Sequence, residues 1–354
     1  MFASHRDACI LAKYAFELGL VLDRYYETSS LGDHFIVHRK LRRANYHFAA
    51  SAYRFAQNHE LCIVLCFDIT GFFDNLNHTI LKNRLKRLLG VDELSRDWYA
   101  VFRHVTKFSN VKRTALEEHP VFSERIKHAT REPLATIAGL HKAGIPITTN
   151  PNKFSIPQGT PISSAFSKLY MMDVDTAMTN SCAKIVALYQ RYCDDILIIC
   201  PLEYEEHITD AFKSAVTVHK FGIKDEKTKR ALFGSGSGEI FQYLGFNMSM
   251  HGVTIRPASL ARQYRKAKHA IKTTMRIGKK AIAAGQANKI YTKRLRKRFS
   301  PVGSRNFSKY ARRAAVAFGS KRIVRQVARL EKMVDEKIRE MSKLTGPGPA
   351  HNHP

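Results

Sequence analysis

Apolar residues recur at helical spacing at the start of the chain, give way to short continuous runs in its middle, and return to helical spacing towards its end. Residues 8–22 and 44–56 read as helices. The apolar run Leu61–Asp68 is long enough for a buried strand, ends in an acid and is broken by Gly71. Asn77 stands where it can cap a helix over 79–89, in which Leu81, Leu85, Leu88 and Leu89 share one face. The pattern weakens over 91–153, with a helix around Trp98 and Phe102 and loops marked by Gly139, Gly144, Pro146 and Pro151. Pro157-Gln158-Gly159-Thr160-Pro161 is a turn feeding a helix over 163–178. Two apolar runs, 185–188 and 196–199, enclose Tyr192-Cys193-Asp194-Asp195, which predicts a β-hairpin with adjacent carboxylates at or near its tip. A helix over 204–219 is expected to end at Gly222, and 241–246 reads as a strand turning at Gly245. From Pro257 to Leu344 the pattern is helical, with breaks expected near Gly278, Gly285 and 300–303. Residues 346–354 read as a disordered tail.

Composition sharpens this picture in one respect. The 354 residues are 44% hydrophobic, as in a folded protein, but carry a net charge of +28. Residues 256–343 hold 27 Lys and Arg against four acids, and there is no acid between Ile240 and Leu330. Solvated helix faces are normally mixed in sign, so this excess points to a polyanionic partner, nucleic acid or an anionic membrane. No apolar run approaches the roughly 20 residues of a spanning helix, and no signal-peptide core follows Met1. The six cysteines contain no Cys-x-x-Cys pair, so neither a disulfide framework nor a zinc site is expected. Cys62, Cys66 and Cys200 lie in apolar runs as small buried hydrophobes. A reducing, cytoplasmic setting is the simplest account. His351 and His353 are too few to argue a metal site.

The candidate chemistry is carboxylate chemistry. Asp194 and Asp195 repel one another, and apolar walls raise the cost of ionising both; a divalent cation would remove the conflict. Asp68, at the end of another strand, supplies a third acid. An oxygen-only donor set of this kind suits Mg2+, and three carboxylates on neighbouring strands could hold two such ions.

These stretches resemble the motifs of reverse transcriptases, in that family's order. Phe67-Asp68-Ile69-Thr70-Gly71-Phe72-Phe73-Asp74-Asn75 resembles motif A, and Ile156-Pro157-Gln158-Gly159-Thr160-Pro161-Ile162-Ser163 resembles motif B. Tyr192-Cys193-Asp194-Asp195 resembles motif C, the Tyr-x-Asp-Asp box. Residues 222–229 resemble motif D, and Tyr243-Leu244-Gly245-Phe246 resembles motif E, the primer grip. Each is weak alone; five in order over 67–246 are specific.

The resemblance implies an α+β right-hand polymerase fold with an antiparallel palm sheet. The expected division is a helical or fingers region over 1–60, a palm with interleaved fingers over 61–250 and a basic helical thumb over 251–345. It implies that Asp68, Asp194 and Asp195 are the catalytic and metal-binding acids, with two Mg2+ ions. Gln158 and Gly159 would lie against the templating pair and incoming dNTP, and Lys227 or Lys229 would face the triphosphate. Phe73 would pack beneath the sugar and exclude a 2′-hydroxyl. Tyr243 and Gly245 would contact the primer. Arg42, Arg43 and Arg54 are candidates for gripping the triphosphate. In the basic segment, Lys293, Arg294, Arg296, Lys297, Arg298, Arg312 and Arg313 are candidate nucleic-acid contacts, several interleaved with aromatics.

No RNase H, endonuclease or integrase acids follow the basic segment, and no zinc-finger spacing occurs. The chain most resembles stand-alone bacterial enzymes of the unknown-group and abortive-infection-like types, with retron and group II intron enzymes as relatives. That resemblance implies a neighbouring structured noncoding RNA as template, a cDNA product and a role in phage defence. The alternative is a non-catalytic RNA-binding or maturase-like protein on the same fold, against which the complete set of three acids argues.

Overall fold

A computed structural model describes residues 5–29, 43–128, 134–223, 226 and 228–344. The expected tail over 346–354, Arg42 and Lys227 lie outside these residues. In chain order the elements are α1 (His5–Thr28), α2 (Asn45–Gln57), β1 (Leu61–Asp68), α3 (His78–Leu89), α4 (Arg96–Thr106) and β2 (Ser109–Asn110). Then come α5 (Arg113–Glu118), α6 (Pro120–Lys127), α7 (Ile137–Lys142), β3 (Thr148–Thr149), α8 (Ser163–Lys184), β4 (Leu188–Tyr192), β5 (Asp195–Cys200) and α9 (Glu205–Val218). The last are β6 (Lys229–Gly234), β7 (Phe241–Tyr243), β8 (Phe246–Ser249), β9 (Gly252–Ile255), α10 (Pro257–Ala283), α11 (Lys293–Phe299), α12 (Phe307–Phe318) and α13 (Lys321–Ser342). They divide into two units: the described residues of Met1–Lys40 and Cys66–Thr228 form one, and those of Leu41–Leu65 and Lys229–Pro354 the other.

The first unit is built around α8, whose residues Ala165 to Met172 are all buried, as are Val174, Asp175 and Met178. A helix buried around its whole circumference must be covered on every side, and α1, α3, α9 and β4 pack against it. Asn77 caps α3 as expected, its Oδ1 accepting from the N–H groups of Thr79 and Ile80 at 3.1 and 3.2 Å. β4 and β5 pair antiparallel with Leu188 opposite Ile199 and Tyr192 opposite Asp195. The strand beside β5 is β1, whose Cys66, Phe67 and Asp68 belong to this unit. A small apolar cluster of Phe122, Leu140 and Ile145 holds α6 and α7 together; Gly139, expected in a loop, lies within α7.

The hairpin begins later than its hydrophobicity suggests. Residues 185–187 are the C-terminal cap of α8, not strand. Ile185 is the C-cap, Val186 takes a left-handed conformation (φ 51°), and the Ala187 N–H donates to the Cys182 carbonyl at 2.9 Å. That is a Schellman-type ending with valine where glycine is usual. α9 ends in the same way through Lys220 (φ 63°), with the Phe221 N–H bonded to the Val216 carbonyl at 3.1 Å. Gly222, expected as the terminator, lies beyond that cap.

In the second unit β7, β8 and β9 form an antiparallel meander. Tyr243 opposes Phe246, and the two residues between them, Leu244 (φ 46°) and Gly245 (φ 89°), make a tight left-handed turn. Leu61 to Leu65 of β1 belong to this unit, where β6 is the neighbouring strand. The helices α10, α11 and α13 close on a core that includes Ala267, Ile271, Leu295, Phe299, Leu330 and Val334. α10 runs through Gly278 unbroken because Ile290 lies against that position: an added Cβ would stand 2.7 Å from its side chain. The helical pattern breaks as expected at Gly285 (φ 68°), just past the end of α10, and at 300–303 after α11, and it breaks again at Gly319, a left-handed C-cap (φ 64°) between α12 and α13.

Candidate active site

Asp68 is the last residue of β1 and is half-buried. The backbone just after it is tied to the segment that follows α9. Ile69 bridges antiparallel to Ile223, and the Thr70 N–H reaches the Gly222 carbonyl at 3.4 Å. Gly71 (φ 54°) then opens a short 3-10 turn, Phe72–Asp74. Phe72 is buried and stacks on Phe221, ring centroids 5.2 Å apart. Phe73 is half-buried, and its carbonyl accepts from the Ile156 N–H at 3.0 Å; the Leu76 carbonyl accepts from Ser155 at 3.1 Å. These bonds bring Phe73 beside the loop that carries Gln158 and Gly159. Both loop residues are exposed, and Gly159 has a φ of 98° that favours glycine.

At the hairpin, Cys193 and Asp194 form the two-residue turn and Asp195 opens β5. Asp194 is half-buried and Asp195 exposed. Cys193 is left-handed (φ 61°), a conformation that costs a non-glycine residue about 1–2 kcal/mol. Burial, and then the Asp194 carboxylate, push its thiol pKa up, against a hydrogen bond from the Ser167 side chain on α8.

The support beneath this turn is ionic. Arg191 on β4 is fully buried and grips Asp175 on α8 with two hydrogen bonds, Nε–Oδ1 at 2.7 Å and Nη2–Oδ2 at 2.6 Å. Its remaining arm, Nη1, donates to the Cys193 carbonyl at 3.0 Å. The Tyr189 hydroxyl donates to Asp175 Oδ1 at 2.9 Å and the Tyr26 hydroxyl to Oδ2 at 3.4 Å. Burial works against the charged guanidinium, but the Asp175 charge and hydrogen bonds outweigh it and raise the Arg191 pKa. Burial, then the Asp175 charge, hold both tyrosine hydroxyls well above their ordinary value, so they stay donors. None of these four residues was expected to matter from the sequence. The available signal was weak: β4 carries Gln190 beside Arg191, and α8 carries Lys168 and Asp173 as well as Asp175, so the pair does not stand out by type.

Asp68, Asp194 and Asp195 thus come from the end of β1 and the tip of the hairpin whose second strand lies beside it. As hard oxygen donors they suit a divalent cation such as Mg2+. Their side chains are not drawn together: among the described residues, no three His, Cys, Asp or Glu side chains are grouped so as to hold a metal ion.

The remaining expected residues lie as follows. Lys229 is exposed at the start of β6. Arg43 is exposed, while Arg54 donates to the carbonyls of Ala50 and Ala317. Tyr243 is 4% exposed, its ring facing the core. The direct nucleic-acid contact expected of it therefore has no accessible ring, and the surface there is the half-exposed Leu244-Gly245 turn. Lys293, Arg294, Arg296, Lys297 and Arg298 are exposed on α11, and Arg313 on α12. Arg312 forms a bidentate ion pair with the buried Glu331, so it braces α12 against α13 rather than standing ready for phosphate.

Among solved structures the chain is similar to apo telomerase from Candida tropicalis, with TM-score 0.50 and 12% identity over 94% of this chain and 52% of that one. Telomerase from Candida albicans in complex with a fragment of telomeric RNA matches with TM-score 0.42 and 12% identity over 90% and 52%. The chain spans about half the length of these structures. No curated protein matches it. The likeness to the Candida tropicalis structure shows the expected fold, mixed helix and antiparallel sheet in a right-hand polymerase arrangement. The family model described as reverse transcriptase (RNA-dependent DNA polymerase) matches residues 30–248, more than half of the chain, and the chain belongs to the reverse transcriptase family.

Proposed function

We propose that this protein is an RNA-directed DNA polymerase in which Asp68, Asp194 and Asp195 are the acids of the active centre and Mg2+ is their cofactor. The observation that carries this reading is the placement of the three carboxylates, at the end of β1 and the tip of the β4–β5 hairpin beside it, in a member of this family. Two Mg2+ ions bound there would activate a primer 3′-hydroxyl and neutralise charge on the pyrophosphate leaving group.

The chain's own residues have separate tasks in this account. Arg191 holds the hairpin turn, and so the backbone from which Asp194 and Asp195 project. Gly159 lets the backbone approach the nascent pair closely, with Gln158 beside it. Phe73, tied through its carbonyl to Ile156, blocks the space of a 2′-hydroxyl and so favours deoxynucleotides. Lys227 or Lys229 meets the triphosphate and can give a proton to the departing pyrophosphate.

The basic helices α10 to α13 hold the template RNA, which we take to be structured. Support for this is the acid-free stretch from Ile240 to Leu330 and the exposure of its α11 cations. The narrower assignment, a cytoplasmic bacterial enzyme copying an associated noncoding RNA in phage defence, rests on the motif resemblance alone. The test is extension of a DNA primer on an RNA template with Mg2+ and the four dNTPs. Product complementary to the RNA is expected; no product on any RNA template overturns the reading.

A further inference from the structure

The basic segment contains a hollow as well as a charged surface. Between α10 and α11 lies a cavity of about 570 Å3, within the range of small-molecule sites, roughly 300–1,000 Å3. Arg265, Lys266 and His269 on α10 and Arg294 and Arg298 on α11 stand around it. Residues 265, 269 and 273 are successive fours on α10, and 294 and 298 on α11, so each helix turns one face to the cavity. Ala270 and Leu295 supply its apolar floor, which continues into the core through Ala267, Ile271 and Phe299. Among the described residues none of the five basic side chains pairs with an acid, and the surrounding sequence offers none. The Arg298 guanidinium lies over the Phe299 ring, 5.1 Å from its centroid.

A surface that only grips a duplex needs phosphate contacts along a line and no depth. Here a ring of cations surrounds an apolar-floored hollow. Cations on the rim match phosphates; an apolar floor with a guanidinium plane beside it matches the face of an unstacked base. We propose that this cavity binds one unpaired nucleotide of the RNA, taking the base inside and its flanking phosphates on the rim. The proposal rests on the reading that the basic helices hold RNA, and adds that they recognise an unpaired position in it.

The experiment compares two hairpin RNAs carrying 2-aminopurine, one with the base unpaired as a single bulge and one with it paired in the stem. Binding and fluorescence are measured over a salt series with the full chain. The bulged hairpin should bind about tenfold more tightly, in line with the stacking energy of one base, and its fluorescence should change on binding. Ala270→Phe and Thr273→Phe fill the hollow without altering charge. Each should abolish the preference for the bulge while leaving the affinity for the paired hairpin and its salt slope unchanged. Thr273 is half-buried, so Thr273→Phe carries the test should Ala270→Phe fail to fold. Equal binding of the two hairpins by the native protein, or a preference that survives the folded filled variants, overturns the pocket. Salt-independent or absent binding of both hairpins would instead remove the RNA-holding reading on which the pocket depends.

Discussion

Arg191 Nη1 donates to the carbonyl oxygen of Cys193 at 3.0 Å while its other nitrogens hold Asp175, so a fully buried ion pair fixes the turn from which two candidate metal ligands project. Removing one member of such a pair leaves the other charged and unpaired in the core, at a cost of about 3–5 kcal/mol. Arg191→Met should therefore lower the unfolding free energy by that amount in urea titration. Arg191→Met combined with Asp175→Leu should recover much of the loss, since no orphan charge remains. A double variant as unstable as the single one would contradict this account.

The left-handed backbone at Cys193 makes a second prediction. Glycine accepts a φ of 61° without strain, whereas a β-branched residue does not. Cys193→Gly should keep primer extension within a few-fold of the native protein, and Cys193→Val should lose stability by about 1–2 kcal/mol and lose extension with it. Equal behaviour of the two variants would mean that the turn conformation is not what the site depends on.

How far the sequence reveals this architecture can be judged at the same hairpin. β1, α3 and the hairpin partner β5 were legible because their apolar residues follow the element's own period, and Asn77 was legible as a cap because its chemistry is local. The start of β4 was not. Ile185, Val186 and Ala187 are apolar but cap α8, and the left-handed position is held by Val186 rather than glycine. Lys220 hides the end of α9 in the same way. Gly278 misleads in the opposite direction, being small for the sake of Ile290 and not for a turn. The three candidate acids were chosen by type and order, whereas the Arg191–Asp175 support was not legible, because its partners are 16 positions apart and only packing brings them together. Tyr243 shows the limit of motif reasoning: the motif locates the turn, and burial decides that its ring faces inward.

Two histidines of the first unit tie its stability to pH. His78 and His219 have pKa values lowered from the ordinary 6.5, each mainly by burial, with the Lys107 and Arg84 charges adding to the effect. His219 accepts from Arg84 Nη2 at 2.9 Å, which requires a neutral ring. The unfolded chain takes up protons on these groups before the folded one does, so stability is full above about pH 6.5 and falls as pH drops through the lowered folded values. Urea midpoints measured from pH 7.5 to 5 should decline, and His78→Gln with His219→Gln should flatten the decline. An unchanged slope in the double variant would assign the pH dependence elsewhere.

Sugar selection is the test of Phe73. Its carbonyl is anchored to Ile156, so Phe73→Ala should leave the backbone in place and open only the space of the ring. The ratio of dNTP to rNTP incorporation should fall by at least tenfold, with dNTP incorporation reduced far less. A ratio that does not move would make Phe73 a packing residue.

The α11 cations should act on RNA retention more than on chemistry. Replacing Lys293, Arg294, Arg296, Lys297 and Arg298 by Ala removes five exposed charges. The slope of log affinity against log salt should fall by up to about 3.5, at roughly 0.7 per lost phosphate contact. Extension of a short, saturating primer–template should suffer much less. Filter binding with an unchanged slope would rule out this role for α11.

The central claim, that Asp68, Asp194 and Asp195 form a metal-dependent nucleotidyl-transfer centre, is tested most directly by single-nucleotide incorporation on an RNA template. Native protein and the Asp68→Asn, Asp194→Asn and Asp195→Asn variants are compared at saturating Mg2+ and dNTP, with RNA binding measured in parallel. The account predicts Mg2+-dependent incorporation by the native protein and a loss of at least about 10^3-fold, or some 4 kcal/mol of barrier, in the Asp68 and Asp194 variants, with RNA affinity retained. Incorporation at the native rate in either of those two variants would contradict it.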